Sequence, residues 1–129
     1  VNTVLLDTHA WAWSLTADPR LSERALAALA SAEVVYVSPI SLYEIGQKIR
    51  IGKWPEMASW VNRLPDILRQ QGAQVAPLSP ETCLKAAVME WSHRDPFDRF
   101  IAATCLEMDL PLVSADEAFD GLPGINRLW

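Results

Sequence analysis

Short apolar runs and stretches of helical periodicity alternate along this chain. Val4-Leu5-Leu6 is an apolar run ending at Asp7-Thr8 and reads as a buried strand, with a helix expected from His9 to Leu15. Ser22 followed by Glu23 is a helix N-cap signal, and Ala25, Leu26 and Leu29 form the apolar stripe of the helix behind it, which runs to about Ala32. Val34-Val35-Tyr36-Val37 is β-branched and aromatic and predicts a strand that stops at Ser38-Pro39. Ser41 to Ile51 predicts a helix with Leu42, Ile45 and Ile49 on one face and Gly52 as its stop. A further helix is expected from Trp60 to Gln71, interrupted or started late by Pro65, then a short strand over Gln74 to Pro77. Ser79 caps a helix from Pro80 to about Glu90, and Asp95 caps another that opens with Pro96 and runs to Met108. Leu112-Val113 predicts a strand ended by Ser114-Ala115-Asp116; a short helix and a final stretch, Ile125 to Leu128, follow.

Alternating strand and helix predicts an α/β fold, a three-layer α/β/α sandwich around a short parallel sheet. At 129 residues, with no internal repeat, linker or low-complexity segment, residues 1–129 read as one domain. Half of the residues are hydrophobic and 21% are charged, which excludes a disordered chain. The net charge of -5 argues against a basic nucleic-acid tail or a membrane-surface helix. No apolar run approaches the roughly 18 residues of a bilayer span. The apolar start is broken by Asp7 and His9 and lacks basic residues, so it does not read as a signal peptide. Cys83 and Cys105 have no metal-type spacing and are expected to be buried thiols in a reducing cytoplasm.

In parallel sheets the functional crevice lies beyond the carboxyl ends of the strands, and acids fall there. Asp7 directly follows the first strand, and Asp116 follows Leu112-Val113 by two small residues. Glu44 and Asp98 are expected in the first turns of helices that can start at the same edge. Four carboxylates so placed point to a hard cation, Mg²⁺ or Mn²⁺. Each acid also has a plain structural explanation. Asp95-Pro96 with Asp98 behind them is a helix start that needs no ligand. Glu44 stands four residues before Lys48, which fits an exposed ion pair. Asp7-Thr8 and Ser114-Ala115-Asp116 both suit turns.

The stretches Leu5-Leu6-Asp7-Thr8-His9, Ser38 to Ile45, His93 to Ala103 and Leu112-Val113-Ser114-Ala115-Asp116 together resemble the PIN-domain nucleases. More narrowly, the chain resembles the VapC-type toxins of bacterial toxin–antitoxin pairs, over nearly its whole length and in the family's motif order. The resemblance implies a metal-dependent endoribonuclease that hydrolyses RNA by metal-activated water and leaves a 5′-phosphate and a 3′-hydroxyl. It maps the acidic cluster to Asp7, Glu44, Asp98 and Asp116, with Thr8, Asp95 and Ser114 as accessory polar positions. It also implies a cognate antitoxin, a homodimer and a cytoplasmic location. With the four acids neutralised the formal charge falls from -5 to -1, so RNA needs local cations. Lys48, Arg50, Lys53, Arg94 and Arg99 are the candidate phosphate contacts, each with a solvated helix face or an ion pair as the alternative.

Other chemistries fit less well. His9 and His93 are the only imidazoles and neither has an evident acid–base partner in sequence; His93 reads as structural or capping. Ser38, Ser41 and Ser114 lack a nucleophile elbow, and the five glycines form no phosphate loop. A phospho-acceptor signalling module shares the length and alternation, but needs paired acids after its first strand and a Lys after its last. Here Asp7 has no acidic neighbour and no Lys follows Lys85. A catalytically inactive PIN scaffold that only binds a partner is the remaining alternative, against which all four acids stand. Of the six tryptophans, Trp11 and Trp13 are too close in sequence to share a helix face, so one of the two is expected to be partly exposed and to suit an interface.

Overall fold

Leu5 and Leu6 lie in the central strand of a five-stranded sheet, and their alternation divides the molecule into two cores. A computed structural model describes residues 2–129. The strands are β1 (Thr3–Leu6), β2 (Val34–Val37), β3 (Gln74–Val75), β4 (Leu112–Val113) and β5 (Arg127–Leu128). All pair in parallel, in the order β3-β2-β1-β4-β5. The helices are α1 (Thr8–Thr16), α2 (Glu23–Ser31), α3 (Pro39–Arg50), α4 (Leu64–Gln70), α5 (Pro80–Val88) and α6 (Pro96–Met108). Successive strand residues face opposite sides. Val4, Leu6 and Val37 therefore meet Ala10 and Trp11 of α1, Ala25 of α2, Ile45 of α3 and Leu64 and Leu68 of α4. Leu5 and Leu112 meet Ile101, Ala102 and Cys105 of α6, together with Phe119. Two helical layers around one parallel sheet are the expected α/β/α sandwich.

Helix starts follow local chemistry. Ser22 Oγ accepts from Ala25 N and Ser79 Oγ from Thr82 N, while Pro39, Pro80 and Pro96 open their helices where a missing N–H costs nothing. Ser38 caps α3, which begins at Pro39 and not at Ser41. Glu44 consequently sits in the second turn of α3, a correction to the first-turn expectation. The helix expected from Trp60 to Gln71 is shorter: 3₁₀ turns at Pro55–Met57 and Val61–Arg63 precede α4, which Pro65 opens. Gly52 follows α3 at φ +76°, a left-handed conformation that favours glycine. α5 buries Thr82 and Ala86 four residues apart, which turns Cys83 outward. The expectation that both cysteines are buried holds only for Cys105. Among the described residues no helix is long and apolar enough to cross a membrane.

The strand order fixes where a site can form. Going along the chain, the sheet grows from β1 to β2 and β3 on one side, then resumes with β4 and β5 on the other. Between β1 and β4 the connections part in opposite directions and leave a crevice at the carboxyl edge. α3 touches both α1 and α6 and closes one side of that crevice.

Candidate active site

Each acid reaches the crevice from a different segment. Asp7 follows β1 and is the N-cap of α1: Oδ1 accepts from Ala10 N at 2.8 Å. Its Oδ2 accepts from Ser114 Oγ, which in turn accepts from Asp116 N at 3.0 Å. One buried serine thus ties the loop after β4 to the end of β1. Asp116 caps the 3₁₀ turn Glu117–Gly121, its Oδ1 accepting from Ala118 N at 2.9 Å, and its side chain is exposed. Asp98 is held at the start of α6, where Asp95 Oδ1 accepts from both Phe97 N and Asp98 N. Glu44 completes the set from α3. Asp7, Glu44, Asp98 and Asp116 line one open crevice of about 400 Å³. Thr8 Oγ1 and Ser41 Oγ, 2.9 Å apart and buried, tie the start of α1 to α3 beneath it.

Capping does not exhaust these carboxylates. Each ionised carboxylate offers about four lone-pair directions, so a capping acid retains acceptor capacity. Glu44 is only 3% exposed. Its Oε2 pairs with Lys48 Nζ, while Oε1 is the only buried side-chain oxygen or nitrogen without a hydrogen-bond partner among the described residues. The exposed ion pair read from the spacing is therefore a buried acid with one oxygen unsatisfied. An orphaned buried carboxylate oxygen is costly unless a cation or water meets it.

Crowding and burial act together on the acids. Burial pushes the Asp7 carboxyl up to about 7, with Asp98 and Glu44 adding repulsion and the Ser114 and Ala10 bonds opposing it. Burial likewise raises Asp98 to about 6, with Asp95 and Glu44 adding to the rise and the His93 bond opposing it. Such groups keep a proton to higher pH than ordinary carboxylates do, and a bound cation competes with that proton. Hard oxygen donors that repel one another, one of them orphaned, fit Mg²⁺ or Mn²⁺.

Two basic residues differ from the sequence expectation. His93 does have an acidic partner: its Nε2 lies 2.7 Å from Asp98 Oδ2. His93, Asp98 and Asp116 each present a ligand atom within 4.8 Å of the others. The only sequence signal for this was the five-residue separation of His93 and Asp98, which crosses a helix start and follows no helical rule. Arg99, expected as a phosphate contact, instead donates to four backbone carbonyls, those of Ala86, Met89, Trp91 and His93. It ties the loop between α5 and α6 into place, because the unpaired carbonyls beyond a helix end attract a fork of N–H donors.

Among the other candidate cations, Lys48 lines the crevice. Arg50, Lys53 and Arg94 are exposed and lie outside its lining. Arg20, not singled out in the sequence, does line it. Trp11 is buried, with Nε1 donating to Gln71 Oε1 at 3.2 Å, and Trp13 is the partly exposed member of that pair.

Comparison with known proteins finds relatives over most of the chain. A sequence profile of the PIN domain matches residues 4–125. The chain is 32% identical over 120 residues to Ribonuclease VapC22 of Mycobacterium tuberculosis (strain ATCC 25618 / H37Rv), covering 90% of this chain and 88% of that protein. Its fold is similar to a chain in the crystal structure of VapBC2 from Rickettsia felis bound to a promoter DNA fragment, at a TM-score of 0.65 and 16% identity, covering 97% of this chain and 96% of that one. It is also similar to a chain of a toxin–antitoxin complex from Klebsiella pneumoniae, at a TM-score of 0.66 and 20% identity, covering 95% and 94%.

Proposed function

This chain belongs to the PIN-domain family, and from that membership and the acidic crevice we propose that it is a metal-dependent endoribonuclease, the toxin of a toxin–antitoxin pair. The observation that carries the reading is the orphaned, buried Oε1 of Glu44, in a crevice lined also by Asp7, Asp95, Asp98 and Asp116. Asp7, Asp98 and Asp116, with Glu44 beside them, would hold Mg²⁺ or Mn²⁺. When bound, the cation polarises a phosphoryl oxygen and lowers the pKa of a coordinated water.

The chain's own residues supply placement. Ser114 turns Asp7 Oδ2 toward the loop of Asp116, Asp95 fixes the first turn of α6 under Asp98, and His93 holds Asp98 Oδ2. Lys48 pins one oxygen of Glu44, while its buried Oε1 is left without a partner. Lys48 also sets a positive charge beside the acids, where an approaching phosphodiester needs it. With MnCl₂ the protein should cleave single-stranded RNA, and EDTA should stop the reaction. A protein that cleaves no RNA with any divalent metal would contradict the enzyme reading and leave the inactive scaffold.

The biological partner follows from the same charge. A concentration of buried acid favours an antitoxin that inserts an Arg or Lys where the cation would sit. Co-expression with such an antitoxin should relieve growth arrest, and unchanged growth without it would count against the toxin role. A homodimer and a cytoplasmic location belong to the same reading.

A further inference from the structure

The acids are not the whole lining of the crevice: His9, Trp13, Arg20 and Lys48 share it with them. His9 is the second residue of α1, two positions after Asp7, and Trp13 follows it by one helical turn, so both lie on the same face. The His9 ring stacks on Trp54, with centroids 4.7 Å apart and planes inclined by 24°. Trp13 tilts against His9 at 5.7 Å and against Trp129 at 5.8 Å. The Arg20 guanidinium lies 4.7 Å from the Trp13 ring centre, and Lys48 Nζ lies 5.7 Å from that of Trp54.

Core packing accounts for Trp54, which is buried, and for the inner parts of Trp13 and Trp129, which pack against the same core, but not for His9 and Arg20. His9 and Arg20 are exposed, Trp13 is partly exposed, and all three line the crevice together with Lys48. The result is a row of π-surfaces flanked by two cations, directly beside a carboxylate cluster. That pairing matches one kind of molecule. A nucleotide carries a flat base that stacks on aromatic or guanidinium planes and an anionic phosphate that needs cations or a metal. An apolar peptide would use the aromatic rings but has no need of Arg20 and Lys48.

Resting on the ribonuclease reading, we propose that His9, Trp13 and Arg20 form a stacking site for the nucleobase next to the scissile phosphate of single-stranded RNA. The base lies against the aromatic row while its phosphate faces Lys48 and the acid-held cation. Because every base has a π-face, such a site tolerates sequence and favours unpaired over duplex RNA.

Calorimetry on the full chain with Mn²⁺ tests this. Adenosine 5′-monophosphate and ribose 5-phosphate share sugar and phosphate and differ by the base; neither contains a phosphodiester to cleave. The nucleotide should bind roughly 5- to 100-fold more tightly. His9→Ala and Trp13→Leu should each bring that ratio toward one and leave ribose 5-phosphate unchanged, while Trp13→Phe keeps most of it. His9 is exposed, so His9→Ala tests the site even if Trp13→Leu folds poorly. A wild-type ratio near one, no detectable binding of either compound, or a ratio unmoved by His9→Ala and by a folded Trp13→Leu would overturn the proposal. The ribonuclease reading stands or falls separately, on Mn²⁺ titrated alone and on RNA cleavage. A protein that cleaves RNA yet ignores the base refutes the stacking site alone.

Discussion

Asp95 and Asp98 stand three residues apart at one helix start and carry different loads. Asp95 accepts two backbone N–H groups, so Asp95→Ala should cost about 1 kcal/mol in chemical denaturation and leave much of the activity. The Asp98 carboxylate caps no backbone N–H, meets His93 instead, and is repelled by Asp95 and Glu44. Asp98→Asn should therefore keep or raise the metal-free melting temperature while Mn²⁺ binding and cleavage collapse. A destabilised but active Asp98→Asn protein would return that residue to a capping role. Arg99 gives a contrasting case. Arg99→Ala leaves four carbonyls to find other partners and should destabilise the fold by about 3 kcal/mol or more. Folded Arg99→Ala should lose Mn²⁺ and RNA affinity together, through the loosened His93 loop, and a selective loss of RNA affinity at full stability would restore the phosphate-contact reading. His93→Ala should weaken Mn²⁺ by roughly ten- to a hundredfold, the usual effect of removing a group that orients a metal-binding side chain. Unchanged Mn²⁺ affinity would make the pair merely structural.

At the scale of elements, the sequence was most legible where backbone chemistry is local. Ser22, Ser79 and Asp95 act as caps, and α6 begins at Pro96 and ends at Met108 as its pattern predicts. β4 likewise occupies Leu112–Val113. Legibility failed where the outcome depends on neighbours distant in sequence. The Ser114 bond to Asp7 spans 107 positions, and the His93–Asp98 pair depends on how the loop before α6 folds back under Arg99. Asp7 read both as a crevice acid and as a turn residue, and its capping of α1 was the part not foreseen. The stretch from Trp54 to Arg63 lacks a clean period because it is made of 3₁₀ turns. Ser114 yields the prediction of this scale. Its bond lowers the Asp7 carboxyl against the effect of burial, so Ser114→Ala should move the pH midpoint of Mn²⁺ binding upward. An unmoved midpoint by calorimetry would show that Ser114 does not govern Asp7.

Across the whole molecule, stability and metal binding are linked through the same protons. Asp7 rises from 3.8 to about 7 and Asp98 from 3.8 to about 6, so the folded chain holds these protons more tightly than the unfolded one. Their contribution to stability is full below about pH 4 and is lost as pH rises through the folded-state values. Asp18 and Asp120 are held low, chiefly by hydrogen bonds from Arg20 and Arg127, and titrate below that window. Between about pH 4 and about pH 7 the metal-free melting temperature should fall, against the opposing effect of His9, whose pKa burial lowers, and the Asp7→Asn, Asp98→Asn double variant should flatten the profile. Mn²⁺ should restore stability most at the upper end, where the carboxylates are ionised. A metal-free profile that rises over this range would refute the linkage. The same four acids account for most of the net charge, which falls from -5 to -1 without them, so the remainder of the molecule is nearly neutral toward RNA. End-group analysis of RNA cut by the wild-type protein tests the central claim most directly. Metal-activated water predicts fragments with a 5′-phosphate and a 3′-hydroxyl, formed with Mn²⁺ and absent in EDTA. Fragments ending in a 2′,3′-cyclic phosphate, or cutting that persists in EDTA, would show that the acidic crevice does not perform the reaction.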